Sequence, residues 1–474
     1  MEERERACVC VSACVFVSSY IFRLRLQLRF TLLCFKSTVF SLLLTRWNQK
    51  RVFFLTPQVM INDLNRGYVN HDDVKCVVID EAHRATGNYA YVTVVGELMK
   101  RTKDFRILAL SATPGKDLQT VQQLIFNLAI AHVEIRTEDS PDIKAHSFNR
   151  VVEEKILDIG PDLNDIKTRF VRIMTRVLNR LRTAKVSFFT INIENLSRYA
   201  VLQGRDQFRQ NPPQEVANNN AKKSQIETDF HLLLSFLTAF GYLLNHSARI
   251  FYKTLKKSLP DYKFKLEYSR SEDFQNLFQL LREKYGDESM TDLVDENAPP
   301  SLGPAALAAA HPKLEALRGV ILEHFEKVQE TRVMIFASYR ESVHEIVTLL
   351  SHFKPAVRCM AFVGQSSGIG EAGAGTVKGL TQKEQLEVVS RFKEGGYNTL
   401  VATCVGEEGL DIGEVDLIVC YDSSKSFTRM VQRMGRTGRK RDGRIVVLLT
   451  KGTEERQYQQ AKVSAKSPSW TVCS

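Results

Sequence analysis

Apolar and polar positions follow two different rhythms along this chain, and the switch between them marks its regions. Short β-branched apolar runs at residues 51–55, 74–79 and 106–110 are separated by helical patterns, of which 117–128 is the plainest. That alternation predicts a parallel α/β domain over 46–150. From residue 151 the period changes. Ile166, Phe170, Ile173, Met174, Val177 and Leu181 recur at helical spacing, and Arg169, Arg172, Arg176 and Arg180 follow the same period on another face. A second helical stretch covers about 224–259, so 151–285 is expected to be a helical insert. Residues 286–310, with Asn297-Ala298-Pro299-Pro300 and an Ala-rich run, predict a linker. Apolar strand-like runs return at 333–337, 357–362, 399–403, 416–421 and 444–449. They predict a second α/β domain over 311–460 and a tail at 461–474.

The first 45 residues fit neither rhythm. Residues 7–22 are apolar but short for a bilayer span, which needs about 20 residues, and the opening MEERER is a poor signal-peptide start. Leu24, Leu26 and Leu28 alternate with polar residues in the manner of a strand. A divergent segment is the first expectation here; a strand-rich replacement and a membrane anchor are the alternatives.

Composition narrows the class. A chain of 474 residues with 44% apolar and 25% charged residues has room for two or three soluble domains. A formal net charge of +11 is compatible with a polyanionic partner or with solubility alone. Nine cysteines without a paired CxxC suggest neither a zinc site nor a disulfide framework, and fit a reducing compartment.

Three short stretches carry candidate chemistry. Gln432-Arg433-Met434-Gly435-Arg436-Thr437-Gly438-Arg439 sets three guanidiniums close together, as a transferring phosphoryl group requires. Val77-Val78-Ile79-Asp80-Glu81-Ala82-His83 reads as a buried strand ending in two carboxylates, the place where an α/β sheet holds Mg²⁺ and a water. Ser111-Ala112-Thr113 follows the next strand. No G-x-x-x-x-G-K-[ST] occurs in the 474 residues, and Gly115-Lys116 continues with Asp117. The Gly-rich stretch 364–379 lacks the Lys-Ser/Thr pair of a phosphate cradle and is expected to be a surface loop.

These stretches resemble motifs II, III and VI of superfamily 2 helicases. With LTPQVMINDL, VVIDEAHRATGNYAYVTVV, EDSPDI at 138–143, TRVMIFASYRESV and TLVATCVGEEGLDIGEVDLIVCYDS, the chain resembles the Fanconi anaemia group M and Hef-like helicase family over about 46–460. The resemblance implies two RecA-like parallel-sheet domains, the first incomplete at its N-terminus, around a helical insert. It implies ATP and Mg²⁺ as cofactors, with Asp80 on the metal, Glu81 on the attacking water, and Arg436 and Arg439 as arginine fingers. Gln432 would sense the γ-phosphate; Gly409 and Asp411 would couple nucleotide to nucleic acid; His83, Ser111, Ala112 and Thr113 would link the site to the interdomain cleft. Thr56, Pro57, Gln58 and Thr403 match positions that grip a strand backbone. The arginines at 169, 172, 176 and 180 would either meet DNA phosphates or form a solvated face.

Forked or branched DNA, repair-complex partners, no membrane and a nuclear location also follow from the resemblance. The family carries its P-loop upstream of LTPQ, where this chain has residues 1–45. A non-catalytic DNA-binding form is therefore one alternative, and an RNA-sensing helicase of the same superfamily is another.

Overall fold

The computed structural model describes residues 7–11, 31–32, 47, 51–112, 115, 117–136, 140–144, 148–186, 192–286, 311–328, 330–364, 379–406, 412–423, 427–438 and 441–466. The chain divides into two units. One comprises 1–147, 407–413 and 462–474, and the other 148–406 and 414–461.

Unit 1 is built on a five-stranded parallel sheet in the order β2-β3-β1-β4-β5. Its strands are β1 (Ala7–Val11), β2 (Thr31–Leu32), β3 (Val52–Leu55), β4 (Val74–Ile79) and β5 (Arg106–Ala109). The last three fall where the apolar runs place them. β1 lies between β3 and β4, so part of the N-terminal segment joins the sheet. The stretch around Leu24–Leu28 lies outside the described residues.

Helix α1 (Pro57–Asn65) starts where Thr56 accepts a hydrogen bond from the Val59 N–H and proline occupies the first turn. Helices α2 (Ala90–Met99) and α3 (Leu118–Asn127) follow. Phe53, Met60, Val74, Val77, Ile79, Tyr91 and Leu98 are fully buried and form the core. Trp47 stacks on Phe53 at 3.9 Å and donates its indole N–H to Asp63 at 3.1 Å.

Unit 2 contains a six-stranded parallel sheet, order β6-β11-β10-β7-β9-β8. Strand β6 (Arg150–Leu157) pairs along its whole length with β11 (Gly443–Thr450). Residues 150–157 are thus a sheet strand and not the head of the helical insert, as 151–285 had been expected to be. Their alternation was hidden by charged residues: Glu153 accepts two hydrogen bonds from Arg444 on the neighbouring strand, at 2.7 and 3.0 Å. In β7 (Val333–Phe336), β9 (Thr399–Ala402) and β10 (Leu417–Cys420) every residue is buried, as befits a parallel sheet covered on both faces. The remaining strand is β8 (Cys359–Phe362).

The insert begins with α4 (Gly160–Thr183), whose periodic residues Ile166, Phe170, Ile173, Met174, Val177 and Leu181 are all buried. It continues through α5 (Arg198–Gln210), α6 (Asn220–Asn245), α7 (Ala248–Ser258), α8 (Tyr262–Arg270) and α9 (Glu272–Tyr285). The helical stretch expected over about 224–259 is divided at His246, because Ser247 caps a new helix by accepting from the Ile250 N–H. After the insert come α10 (Pro312–Lys327), α11 (Arg340–Ser351), α12 (Gln382–Glu394), α13 (Phe427–Met434) and α14 (Thr453–Lys466). The linker 287–310 and residues 365–378 of the Gly-rich stretch lie outside the described residues.

Insert and second sheet share a buried polar seam. The Tyr421 hydroxyl donates to the His246 carbonyl at 3.1 Å, and His246 Nδ1 lies 2.9 Å from the Ser342 hydroxyl. Lys313, fully buried, donates to Glu454 at 2.7 and 2.9 Å and to the Tyr421 carbonyl at 3.0 Å. Among the described residues no helix is long and apolar enough to cross a membrane.

Candidate nucleotide and nucleic-acid site

The acidic pair sits on a strained turn. β4 ends at Ile79, and Glu81 adopts a left-handed backbone (φ 51°, ψ 47°) before a single 3-10 turn, Ala82–Arg84. For a residue with a Cβ that conformation costs about 1–2 kcal/mol. Neighbouring bonds compensate. The Ala82 N–H donates to the Leu110 carbonyl at 2.8 Å, the Glu81 N–H to Asp80 Oδ1 at 2.9 Å, and the buried Tyr91 hydroxyl to the Asp80 carbonyl at 2.8 Å. The turn leaves Asp80 exposed and Glu81 half-buried at the carboxyl end of the sheet. Two hard oxygen donors of this kind fit Mg²⁺, which binds through one or two carboxylates and keeps several waters.

His83 joins this turn to the next strand. Its Nδ1 lies 3.3 Å from Glu81 Oε2 and 3.2 Å from the Ser111 hydroxyl just beyond β5. Burial, helped by the Arg84 charge, holds the imidazole below its usual range against the pull of Asp80. A neutral ring suits a hydrogen-bond relay between the acidic turn and Ser111. Ala112 is exposed beside it. Thr113 lies outside the described residues.

In unit 2 the arginine octet splits into two roles. Arg433 is buried; it donates to the Asp422 carbonyl at 3.0 Å and packs over the Phe336 ring at 5.2 Å. It anchors α13 and is not one of the guanidiniums presented to a phosphate. Gln432 is half-buried on the same helix. Arg436 lies in the loop that follows, and its carbonyl accepts from the Val415 N–H at 3.3 Å. Arg439, Gly409 and Asp411 lie outside the described residues.

Residues 148–150 fasten that loop, a role no sequence pattern announced. Arg150 Nε donates to the Thr437 carbonyl at 3.1 Å, the Phe148 N–H to the Gly438 carbonyl at 3.1 Å, and the Asn149 N–H to Asp442 at 3.1 Å. Gly438 is left-handed (φ +72°), and a Cβ there would lie 2.7 Å from Arg150 Cγ. The partners are 287 residues apart in the chain, so periodicity could not link them.

The proposed nucleic-acid contacts divide similarly. Thr56 caps α1, Pro57 is buried beneath it and Gln58 is exposed; Thr403 is buried at the end of β9. Of the arginine row, Arg180 is turned inward: it donates to Asp229 at 2.8 and 3.0 Å and to Glu267 at 2.8 and 3.2 Å. Its expected place on DNA is corrected accordingly, since two buried carboxylates already occupy its donors. Arg176 pairs with Asp273 at 2.6 Å, and Arg169 with Asp165 at 2.9 Å. Arg172 is exposed and has no ion pair among the described residues.

Residues 19–121 match the DEAD/DEAH box helicase family, and 312–441 match the helicase conserved C-terminal domain. The chain is 46% identical over 435 residues to the Fanconi anemia group M protein homolog of Mus musculus, covering 89% of this chain and 21% of that protein. It is 40% identical over 424 residues to the ATP-dependent DNA helicase fml1 of Schizosaccharomyces pombe, covering 88% of this chain and 48% of that one. Over nearly nine-tenths of its length the chain is similar to the Fanconi anaemia group M family of DEAD/DEAH-box helicases. The helicase domain of Hef from Pyrococcus furiosus shares this fold at TM-score 0.59 and 25% identity, covering 97% of this chain and 95% of that one. The two parallel sheets are accordingly RecA-like helicase domains.

One boundary moves. The DEAD/DEAH match starts at residue 19, inside the segment expected above to be divergent. The chain spans about a fifth of the length of the mouse relative and about half that of the fission yeast one.

Proposed function

We propose that this group M chain is the core of an ATP-dependent DNA helicase or branch-point translocase acting at forks and junctions in nuclear DNA repair. The observation that carries the reading is the acidic turn at Asp80 and Glu81, tied through His83 to Ser111, in a chain that also bears the arginine loop. Relatives named ATP-dependent DNA helicases support DNA over RNA as the substrate. Magnesium bound at Asp80 would neutralise phosphate charge. Glu81 would orient water and take its proton, Gln432 would contact the γ-phosphate, and Arg436 with Arg439 would meet the charge that develops there. Gly409 and Asp411 would pass the nucleotide state to the strand held by Thr56, Gln58 and Thr403, and Arg172 would add a phosphate contact.

A second reading, a DNA-binding form with little turnover, is favoured by the absence of G-x-x-x-x-G-K-[ST] from these residues. Both readings make binding independent of base sequence and steeply weakened by salt. Forked DNA should bind more tightly than linear duplex. Filter binding over a salt series checks this. A salt-independent or sequence-selective profile would refute both readings, and phosphate release then separates them.

A further inference from the structure

The insert meets the second sheet of unit 2 around an unmatched carboxyl group. Glu345, on α11, is 2% exposed. Among the described residues neither of its carboxylate oxygens makes a hydrogen bond of good geometry, the Ser247 hydroxyl offering only a weak one, and His344 Nε2 beside it has no partner. A charged carboxylate without well-matched donors costs far more in such a place than the protonated acid does. We propose that the insert is held to the second sheet through the neutral, protonated form of Glu345, so that the junction loosens when this carboxyl ionises.

The groups around Glu345 come from three elements. α7 and its cap contribute Ser247, Arg249 and Lys253, all of which favour the ionised form. Burial outweighs them and pushes the carboxyl up to about 7. Lys253 itself is held below its usual range by burial, against the opposing charges of Glu345 and Glu341. On α11, burial with the Lys253 and Arg340 charges takes His344 down to about 4, leaving it neutral and unable to compensate. Just beyond β10, Tyr421 is raised by burial and by the Glu345 charge, so it stays protonated. Behind these, His246 is pushed to about 3 by burial and Lys313, whose own charge is matched by Glu454. Glu345 is therefore the junction group placed to change charge near neutrality.

The sign follows from linkage. The folded-state value of about 7 lies above the 4.5 of a free glutamate. The stabilisation is complete below about pH 4.5 and is lost as pH rises through 7. The test is amide hydrogen exchange of α7 and α11 in the whole chain between pH 5.5 and 8.5, corrected for the intrinsic pH dependence of exchange. Opening of these two helices should increase by about tenfold or more across that range. Glu345→Gln, the neutral isostere, should flatten the dependence and protect the junction better than the parent at pH 8.5. A parent profile flat in pH would overturn the proposal. So would a Gln variant that keeps the slope, or one that fails to fold, because the amide reproduces the neutral acid.

Discussion

At the scale of single residues, two left-handed positions show how far side-chain chemistry alone can be read. The place of Asp80 and Glu81 was legible because a buried apolar run stops at them, at the carboxyl end of a strand. The strained turn beneath Glu81 was not, since nothing in the letters DEAH marks a positive φ. Gly438 is the opposite case. Its backbone requires glycine, because a Cβ would both suffer the left-handed penalty and press on the Arg150 side chain at 2.7 Å. Gly438→Ala should therefore destabilise unit 2 by about 1–2 kcal/mol, read as a lower urea midpoint at unchanged slope. An unchanged midpoint would mean that the loop holds 438 without help from Arg150. Arg433 could not be told from its neighbours for a related reason: three guanidiniums in eight residues look alike until the contacts show that Arg433 packs on Phe336.

At the scale of elements, periodicity located most strands and the insert helices, since burial enforces it directly. It failed at β6, where charged pairs replace apolar residues on an edge strand, and at His246, where a cap interrupts a continuous apolar pattern. It also could not tell a buried charge from an exposed one on α4. Arg180 follows the same period as Arg172 but faces Asp229 and Glu267, of which Asp229 is raised by burial despite its partner. Removing Arg180 strands two acids. Arg180→Ala should cost less than the about 3–5 kcal/mol of a fully buried pair, because the guanidinium is 38% exposed. DNA affinity of the folded fraction should stay unchanged. Arg172→Ala should do the reverse, sparing stability and lowering the magnitude of the salt slope of DNA binding by about 1. Unfolding curves and binding isotherms on both variants check the pair of outcomes; equal effects on DNA would return Arg180 to the binding face.

At the scale of the whole chain, the two halves of the proposed chemistry stand on separate units, and each is preorganised by its own sheet. Glu81 is set by the β4 turn, and Arg436 by α13 and the loop fastened through Arg150. Such groups act only on a nucleotide already in position. In phosphoryl-transfer sites an arginine finger is worth roughly 10³–10⁵ in rate, and the backbone cradle and lysine of a P-loop provide the grip on which such a group depends. These 474 residues contain no G-x-x-x-x-G-K-[ST]. We expect the polypeptide as given to show little or no DNA-stimulated ATP turnover while still binding DNA. Fusing a family-type N-terminal segment with its P-loop ahead of residue 46 should restore turnover. In that fusion, Glu81→Gln should abolish phosphate release and leave DNA affinity intact, because the carboxylate is assigned to water and not to the strand. Phosphate release with and without forked DNA, measured on the parent, the fusion and the Glu81→Gln fusion, decides the matter. Strong stimulation in the unmodified chain, lost on Glu81→Gln, would mean that residues outside any P-loop pattern hold the phosphates, and the segment before residue 46 would be the first place to look for them.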